Sequence, residues 1–363
     1  MSLQFSKRLH GLRAALRHAR AAALLVSHRP NIFYLTGFTG DNGMLVVSGS
    51  RATLFTDPRF DTQAAEECSE SRARIVITRR PLAQAVGEHL ARLPRTATTL
   101  FEEDRLTVAQ LRTARTPARC GCRWKPTQGI VEALREVKDA EELSRMRAAA
   151  RVGSQVMEAA IRAASAGIAE TDLAAEIEYH MRKHGAEGPS FDTIIASGAR
   201  AALPHGRASS KRLKEKDLVV LDLGVILRGY CSDLTRTIHV GRASPEVRRW
   251  YQAVLEAQTA GRDAVRAGIA ASEVDGAVRG VLRREGLERY FIHSTGHGLG
   301  IEVHERPTVR MNQAAALQAG SVVTIEPGIY IPGRGGIRIE DDVLVLAGGS
   351  ETLTSAPREL IEV

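Results

Sequence analysis

Three histidines in the stretch 292–305 are the side chains of this sequence best suited to chemistry. His293, His297 and His304 lie among small and apolar residues, and glycines at positions 296, 298 and 300 flank the middle histidine. Imidazole binds metals and transfers protons near neutral pH, and glycine allows another group to approach the backbone closely. Two interpretations are open from this stretch alone: a catalytic or metal-binding loop, and a glycine-rich turn with incidental histidines.

Four carboxylates on either side of that stretch occupy matching positions in two similar segments. Asp222 and Glu326 each end or interrupt an apolar strand pattern, and Asp233 and Glu340 follow them. We predict a hairpin turn at Arg228–Tyr230, so that an antiparallel ladder brings Asp222 and Asp233 close together. The second segment would repeat this arrangement with its two glutamates.

Buried carboxylates repel one another and are costly to desolvate, so these four need compensation. They could pair with arginines such as Arg236 or Arg338, or lie at solvent-exposed strand ends. Four acids on matching strands beside a histidine favour a third explanation, a dinuclear site, because two divalent cations neutralise four carboxylates and a neutral imidazole. Oxygen-rich ligation with one histidine favours Mn, Co, Fe or Zn, and such a pair of ions activates water for hydrolysis.

The elements that must position these residues fall into two predicted domains. Residues 1–127 alternate strand and helix patterns, which predicts an α/β domain with no cluster of catalytic side chains. A linker is predicted at Trp124–Gly129, where Pro and Gly lie close together, and residues 128–363 form the second domain. The predicted segments of the first domain are helices at 6–20 and 82–93 and strands at 22–26, 43–48, 52–56, 75–77 and 99–101.

The second domain contains an internal repeat. Residues 167–169 and 268–270 are both Gly-Ile-Ala, which sets an offset of 101. At that offset two helix patterns align, and each is preceded by another helix and followed by strands. We therefore predict two copies of a helix–helix–strand unit rather than a solenoid. The predicted caps and glycine stops of the aligned helices are Thr171, Gly185, Ser272 and Gly286.

The composition is typical of a soluble globular protein long enough for two cores. The chain has 363 residues, of which 44% are hydrophobic and 25% charged, with a net charge of +8. No apolar run reaches the roughly 20 residues of a membrane span, so we expect no membrane partner and a mature, cytoplasmic N-terminus. The arginines are mixed with glutamates in amphipathic patterns, so we expect no nucleic-acid partner despite the basic charge.

The cysteines allow two interpretations. Cys120 and Cys122 form a Cys-x-Cys pair, but the sequence has no second pair to complete a zinc site, and Cys68 and Cys231 are isolated. Reduced structural thiols are favoured over a thiolate metal site.

Together, the histidine stretch and the carboxylates resemble the pita-bread metallopeptidases, and in particular their proline-peptidase branch of aminopeptidase P and prolidase. The resemblance covers nearly the whole chain, as far as Pro357–Leu360. It implies an α/β creatinase-like N-terminal domain followed by an α+β pita-bread catalytic domain. It also implies that Glu326 carries a proton to the leaving nitrogen. The metal ligands that the resemblance implies are Asp222, Asp233, His297, Glu326 and Glu340.

The same resemblance assigns further roles around the metals. His205 and His293 match substrate-site histidines, with His205 also counted among the catalytic residues, and His304 matches the histidine that stabilises the tetrahedral intermediate. Arg338 matches an arginine beside the last ligand. Phe191 is either an apolar wall for a proline ring or a core aromatic.

The expected function is hydrolysis of the Xaa-Pro bond at the N-terminus of small peptides, with two divalent ions per chain, most simply manganese, and a homodimeric assembly. Prolidases often hold the substrate carboxylate with an arginine upstream of the Glu326 strand, and neither Arg306 nor Arg310 lies in that register. This favours aminopeptidase P, with the dipeptidase as the alternative. A third alternative, a non-enzymatic pita-bread binding module, is disfavoured because all five ligands are present.

Overall fold

The computed structural model of the protein describes residues 3–116 and 122–363. The chain forms two units, residues 1–135 and residues 136–363. Within the described ranges, no helix combines the length and the apolar character that crossing a bilayer requires.

The first unit is an α/β domain, as predicted, built on a six-stranded sheet with the order β4-β3-β2-β1-β5-β6. Its strands are β1 Ala23–Val26, β2 Gly43–Ser48, β3 Ala52–Thr56, β4 Arg74–Ile77, β5 Thr98–Glu102 and β6 Arg123–Thr127. Its helices are α1 Leu3–His18, α2 Arg29–Thr36, α3 Asp61–Glu67, α4 Leu82–Leu90, α5 Val108–Arg115 and α6 Ile130–Arg135. Helix α4 buries Val86 and Leu90 in a cluster with Leu25, Val46 and Phe55 of the sheet.

The boundary between the units follows Arg135, whereas the sequence pattern placed it at 127/128. Most of the predicted linker is strand β6, which pairs with β5 in parallel. Pro126 is tolerated there because β6 is an edge strand, where a missing N–H leaves no ladder hydrogen bond unmade.

The second unit contains two pairs of long helices and a set of small sheets. Its helices are α7 Ala140–Ala163, α8 Glu170–Lys183, α9 Pro245–Ala264 and α10 Ala271–Arg284. Its first strands are β7 Gly188–Pro189, β8 Ile194–Ser197, β9 Leu218–Leu223, β10 Val225–Leu227, β11 Tyr230–Cys231 and β12 Leu234–His239. The remaining strands are β13 Gly296–Gly298, β14 Glu305–Val309, β15 Val322–Ile325, β16 Gly328–Ile331, β17 Gly335–Arg338, β18 Asp341–Leu346 and β19 Gly349–Thr352.

Each helix pair is followed by an antiparallel strand pair, which confirms the duplicated helix–helix–strand architecture. In the first half β9 pairs with β12, and Leu221 and Leu223 share a core with α7 and α8. In the second half β15 pairs with β18, and Val323 and Ile325 share a core with Val274 of α10. The apolar residues on these strands therefore hold the strand ends, where the acids lie, against a rigid helical layer.

The helix caps differ from the prediction. Helices α8 and α10 begin after Ala169 and Ala270, and neither Thr171 nor Ser272 acts as a side-chain cap. Loop carbonyls accept the first helical N–H groups instead, so a hydroxyl cap is not needed. The amide N–H groups of residues 170 and 171 donate to the carbonyls of residues 211 and 209, and those of 271 and 272 donate to 315 and 313. The glycine stops are confirmed, since Gly185 and Gly286 adopt positive φ.

The predicted turn at Arg228–Tyr230 is a hairpin turn between β10 and β11. Arg228 and Gly229 both have positive φ, the backbone of a two-residue hairpin loop that matches strand twist. Cys68, Cys122 and Cys231 are buried free thiols, and Cys120 lies outside the described residues.

Candidate active site

The residues that the sequence assigned to ligation and substrate contact line one cavity of about 650 Å³ in the second unit. The structure thus gathers side chains from β9, the loop before β12, β13, the end of β15 and the end of β17. The predicted residues in its wall are Phe191, His205, Asp222, Asp233, His293, His297, His304, Glu326, Arg338 and Glu340.

Strand pairing explains how the four acids meet. Asp222 is opposite Thr235 in the β9–β12 ladder, and Asp233 lies just before β12 begins. In the second half Glu326 directly follows β15 and Glu340 directly precedes β18. Both strand pairs end at the cavity, so each half contributes two carboxylates to it.

The glycines beside His297 allow close backbone approach, as the sequence suggested. A Cβ atom on Gly296 would lie 1.8 Å from the carbonyl oxygen of Thr324, and one on Gly298 would lie 2.0 Å from that of Arg306. Neither contact is possible, so strand β13 can lie between β14 and β15 only with glycine at these positions. The imidazole between them is thereby fixed at the cavity.

His297 presents a neutral nitrogen to the acids. Burial lowers its pKa to about 4, and its Nδ1 lies 3.0 Å from the carbonyl oxygen of Gly298. A ring that donates from Nδ1 leaves the Nε2 lone pair free to bind a cation. That Nε2 lies 3.6 Å from Asp233 Oδ2 and 3.5 Å from Glu326 Oε1.

Three of the five predicted ligands already form a compact donor group. Within the described residues, ligand atoms of Asp233, His297 and Glu340 all lie within 4.8 Å of one another. Two oxygens and one imidazole nitrogen from buried or half-buried residues form a donor set that suits a divalent transition metal.

Asp222 departs from the simple picture of a free ligand. Its Oδ2 lies 2.5 Å from Nη2 of Arg338, so the arginine alternative applies to this acid. Its Oδ1, however, is buried without a hydrogen-bond partner, which is unusual for a carboxylate oxygen. Arg236, the other arginine considered, pairs with the carboxylate of Asp341 and donates to the backbone carbonyl of Glu340 at 2.6 Å.

The pKa values of the carboxyl groups show that Arg338 alone does not neutralise the negative charge of the four acids. Burial and the neighbouring carboxylates raise the pKa of Asp233 and of Glu340 well above their usual range. Burial also raises the pKa of Glu326 to about 8, although Arg338 opposes this shift. Together with the orphaned oxygen of Asp222, these shifts show that the residues present fit divalent cations.

A chain of hydrogen bonds connects the arginine to a substrate-site histidine. Arg338 Nη1 donates to the Tyr330 hydroxyl at 2.6 Å, and that hydroxyl lies 2.9 Å from Nε2 of His293. Nδ1 of His293 lies 2.8 Å from the carbonyl oxygen of Ser294. Burial lowers the pKa of His293 to about 4, so the ring is neutral at physiological pH.

The remaining predicted residues lie further out. The rings of His297 and His304 meet edge to face with centroids 4.3 Å apart, and burial lowers the pKa of His304. His205 and Phe191 are on the loops that flank β8, and both face the cavity. The position of Phe191 is therefore consistent with an apolar wall rather than a core aromatic.

Sequence reasoning missed several polar residues around the ligands. Thr235 donates to Glu340 Oε2 at 2.6 Å, and Thr324 accepts from the backbone N–H of His297 at 3.1 Å. Asp342 Oδ2 accepts from the backbone N–H of Asp233 at 3.2 Å. The period-two rule could have found the threonines, because each lies on a strand, two residues from a predicted ligand that directly adjoins that strand.

The cavity also contains an arginine that the sequence did not single out. Arg207 lines it, whereas Arg306 and Arg310 do not. Nη2 of Arg207 lies 2.8 Å from Oδ2 of Asp192, and both side chains are largely exposed, at 82% and 73%. A β-bridge to Ile194 fixes its backbone, so the side chain projects from a held position.

Comparisons with known proteins match both halves of the chain. Residues 144–347 match the model of metallopeptidase family M24, and residues 8–137 match the creatinase/prolidase N-terminal domain. These matches and the solved structures below agree with the fold predicted from the sequence.

Individual relatives cover almost the full length. The Xaa-Pro dipeptidase of Pyrococcus furiosus is 38% identical, over 91% of this chain and 92% of that protein. The solved Xaa-Pro dipeptidase of Bacillus anthracis is 37% identical with a TM-score of 0.94, covering 99% of this chain and 100% of that one. The X-Pro aminopeptidase of Thermotoga maritima is 34% identical with a TM-score of 0.89, covering 98% and 99%.

Proposed function

We propose that this chain, which belongs to metallopeptidase family M24, is a metal-dependent Xaa-Pro dipeptidase, a prolidase. The sequence pattern favoured aminopeptidase P because no arginine lay in the prolidase register. The relatives named as dipeptidases in Pyrococcus furiosus and Bacillus anthracis support the alternative instead. The observation that carries the finer choice is Arg207, a largely exposed cation in the wall of the cavity.

The five predicted ligands would hold two divalent ions, for which we propose manganese because the donors are mostly oxygen. When bound, two such ions lower the pKa of a water and polarise the scissile carbonyl. Thr235 and Thr324 keep Glu340 and His297 oriented toward the ions. The ligands proposed here are Asp222, Asp233, His297, Glu326 and Glu340.

Five side chains of the cavity wall would act on the substrate itself. His304, neutral because its pKa is lowered, donates an N–H to the developing oxyanion. Glu326 carries the proton to the leaving nitrogen, which has no N–H of its own because it belongs to proline. The site must therefore recognise the substrate proline by the shape of its ring. Phe191 offers an apolar wall for that ring beside His205 and His293.

Arg207 is the cation that could receive the free carboxylate of a dipeptide. The other arginine lining the cavity, Arg338, is already bound to Asp222, Tyr330 and Thr235. Arg207 pairs with the exposed carboxylate of Asp192, and its carbonyl accepts a hydrogen bond of 2.6 Å from Arg200. A bidentate arginine–carboxylate contact is the geometry that such an exposed guanidinium offers.

The test compares a Xaa-Pro dipeptide, its C-terminal amide and a Xaa-Pro-Xaa tripeptide on the wild type and on Arg207→Ala. Chelation should abolish hydrolysis and manganese should restore it, with two metals per chain by elemental analysis. The wild type should cleave the dipeptide with the highest kcat/KM. Arg207→Ala should raise KM about tenfold for the dipeptide and leave the amide unchanged, because only the free acid offers a charged partner.

Arg310→Ala is the matched control, because Arg310 is an exposed arginine close in sequence to His304 that does not line the cavity. Cleavage of the tripeptide and the amide in preference to the dipeptide would assign the chain to aminopeptidase P. Full activity in a metal-free preparation would overturn the metallopeptidase mechanism.

A further inference from the structure

The two histidines assigned to the substrate, His205 and His293, lie on loops rather than on strands. His205 is in the segment between β8 and β9, and His293 is in the segment between α10 and β13. Loops are mobile unless something holds them, so their positions need an explanation. In each half of the duplicated unit, a buried charged side chain on the second helix holds the loop in place.

In the first half that charge is Glu170, the first residue of α8, whose side chain is fully buried. Its Oε1 accepts from the N–H of Ser197 at 2.9 Å and from its hydroxyl at 2.7 Å. Its Oε2 accepts from the N–H of Ser209 at 3.0 Å and from its hydroxyl at 2.7 Å. One carboxylate therefore ties together both ends of the segment that contains His205.

Arg200 extends this contact into the middle of the segment. It pairs with Glu170 through Nη1, and its Nη2 donates to the carbonyl of Arg207 at 2.6 Å. Through Arg200, the Glu170 carboxylate thus also holds the backbone two residues beyond His205.

In the second half the charge is an ion pair on α10. Arg279 Nε lies 2.8 Å from Oδ2 of Asp275, and the carboxylate side is fully buried. Arg279 donates to the carbonyls of Phe291 at 3.2 Å and His293 at 2.7 Å. Asp275 Oδ1 accepts from the hydroxyl of Thr295 at 2.8 Å. The three anchored residues are alternate positions of the segment that delivers His293.

Stability alone is a poor reason for these buried charges. Desolvating an ion pair offsets most of its Coulombic gain, and apolar replacements are often neutral or stabilising. Glu170 and Asp275 do not align at the offset of 101, so the two halves reach the same arrangement from different positions on corresponding helices. What the two sites share is a loop with a substrate-side histidine.

We propose that Glu170 and the Asp275–Arg279 pair are positioning residues, Glu170 for His205 and the ion pair for His293. This rests on the proposed function, because it assigns both histidines to the substrate. Releasing either loop should lower kcat/KM by roughly tenfold to a hundredfold, the cost of misplacing a contact by about 1 Å. Metal content should not change.

The experiment is a pair of double-mutant cycles on the metal-loaded protein with the Xaa-Pro substrate that it cleaves best. Glu170→Gln should lower kcat/KM in the wild-type background and lose most of that effect in His205→Ala, where only its contact with the Arg207 backbone through Arg200 still acts on the substrate. It should keep its full effect in His293→Ala, which is the matched control. Arg279→Ala should show the reverse pattern, losing its effect only in His293→Ala.

Hydrogen exchange gives a readout that does not need activity. Glu170→Gln should speed exchange in residues 198–208 and leave 291–295 protected, and Arg279→Ala should do the opposite. If Glu170→Gln does not fold, Arg200→Ala and Ser209→Ala can replace it. Each removes one partner of the Glu170 carboxylate and leaves the carboxylate itself in place.

Additive effects in every background, or faster exchange across the whole unit, would show that these charges are merely structural and would overturn the proposal. Absence of any Xaa-Pro hydrolysis would instead reject the proposed function, and the exchange pattern would still decide whether the loops are held as described.

Discussion

At the residue scale, the site consists of groups whose protonation is set by burial. The cavity keeps His293 and His297 neutral, with pKa values of about 4, and protonates acids that would ordinarily be ionised. Neutral imidazoles serve as ligands and N–H donors, whereas the acids can bind a metal only after losing their protons.

His304→Ala should separate catalysis from metal binding. If His304 only donates to the oxyanion, its loss should reduce kcat about 100- to 1,000-fold with both metals retained. Steady-state kinetics and elemental analysis of the same preparation check this. His297→Ala is the comparison, since it should lose metal as well as activity, and metal loss from His304→Ala would make His304 a ligand.

The gathering of four acids around one cavity could be predicted from the sequence, because the acids take matching strand positions in the two halves. Arg207 could not, since nothing in sequence places an exposed loop arginine beside residues more than a hundred positions away. The positioning residues could not be predicted either, because Glu170 and Asp275 look like ordinary surface acids of amphipathic helices.

At the element scale, the duplicated strand pairs and helices could be predicted from the offset of 101, but the helix caps could not. Loop carbonyls at residues 209, 211, 313 and 315 replace the expected hydroxyl caps, and only the tertiary fold brings them to the helix ends. A side-chain cap can be predicted because the capping residue lies next to the helix in the sequence, whereas a carbonyl from a distant loop leaves no such local pattern.

Glycine substitutions test how tightly β13 is held. Gly296→Ala should destabilise the protein by about 1–3 kcal/mol or more, because its Cβ would lie 1.8 Å from the backbone of β15. Gly280→Ala in α10 is the matched control. A Cβ at that position would have nothing within 4 Å, so alanine should stabilise the helix by about 0.5–1 kcal/mol. Denaturant unfolding measures both, and equal effects would contradict this account of β13.

At the scale of the whole molecule, the acid cluster couples stability to metal. Without metal the folded protein must bury Asp233, Glu326 and Glu340 together, and their raised pKa values record that cost. If the proposed ions bind there, the same carboxylates would be ionised and compensated, so metal should stabilise the fold.

The pH dependence of the metal-free protein should reveal this coupling. A carboxyl with a higher pKa in the folded state binds its proton more tightly when folded, so its contribution to stability is present at low pH. For Glu326 it is lost as pH rises from 4.5 through about 8. The melting temperature of the metal-free protein should therefore fall between about pH 5 and pH 8.5, and manganese should remove most of the fall. A flat profile without metal would contradict it.

The contact between Glu170 and Ser209 also sets an order of events during synthesis. The two residues are 39 positions apart in the chain. A ribosome that adds about 5–20 residues per second needs about 2–8 seconds to pass from one to the other. During that interval Glu170 of α8 lacks its partner Ser209, so the His205 loop can close only after its distal anchor has been made.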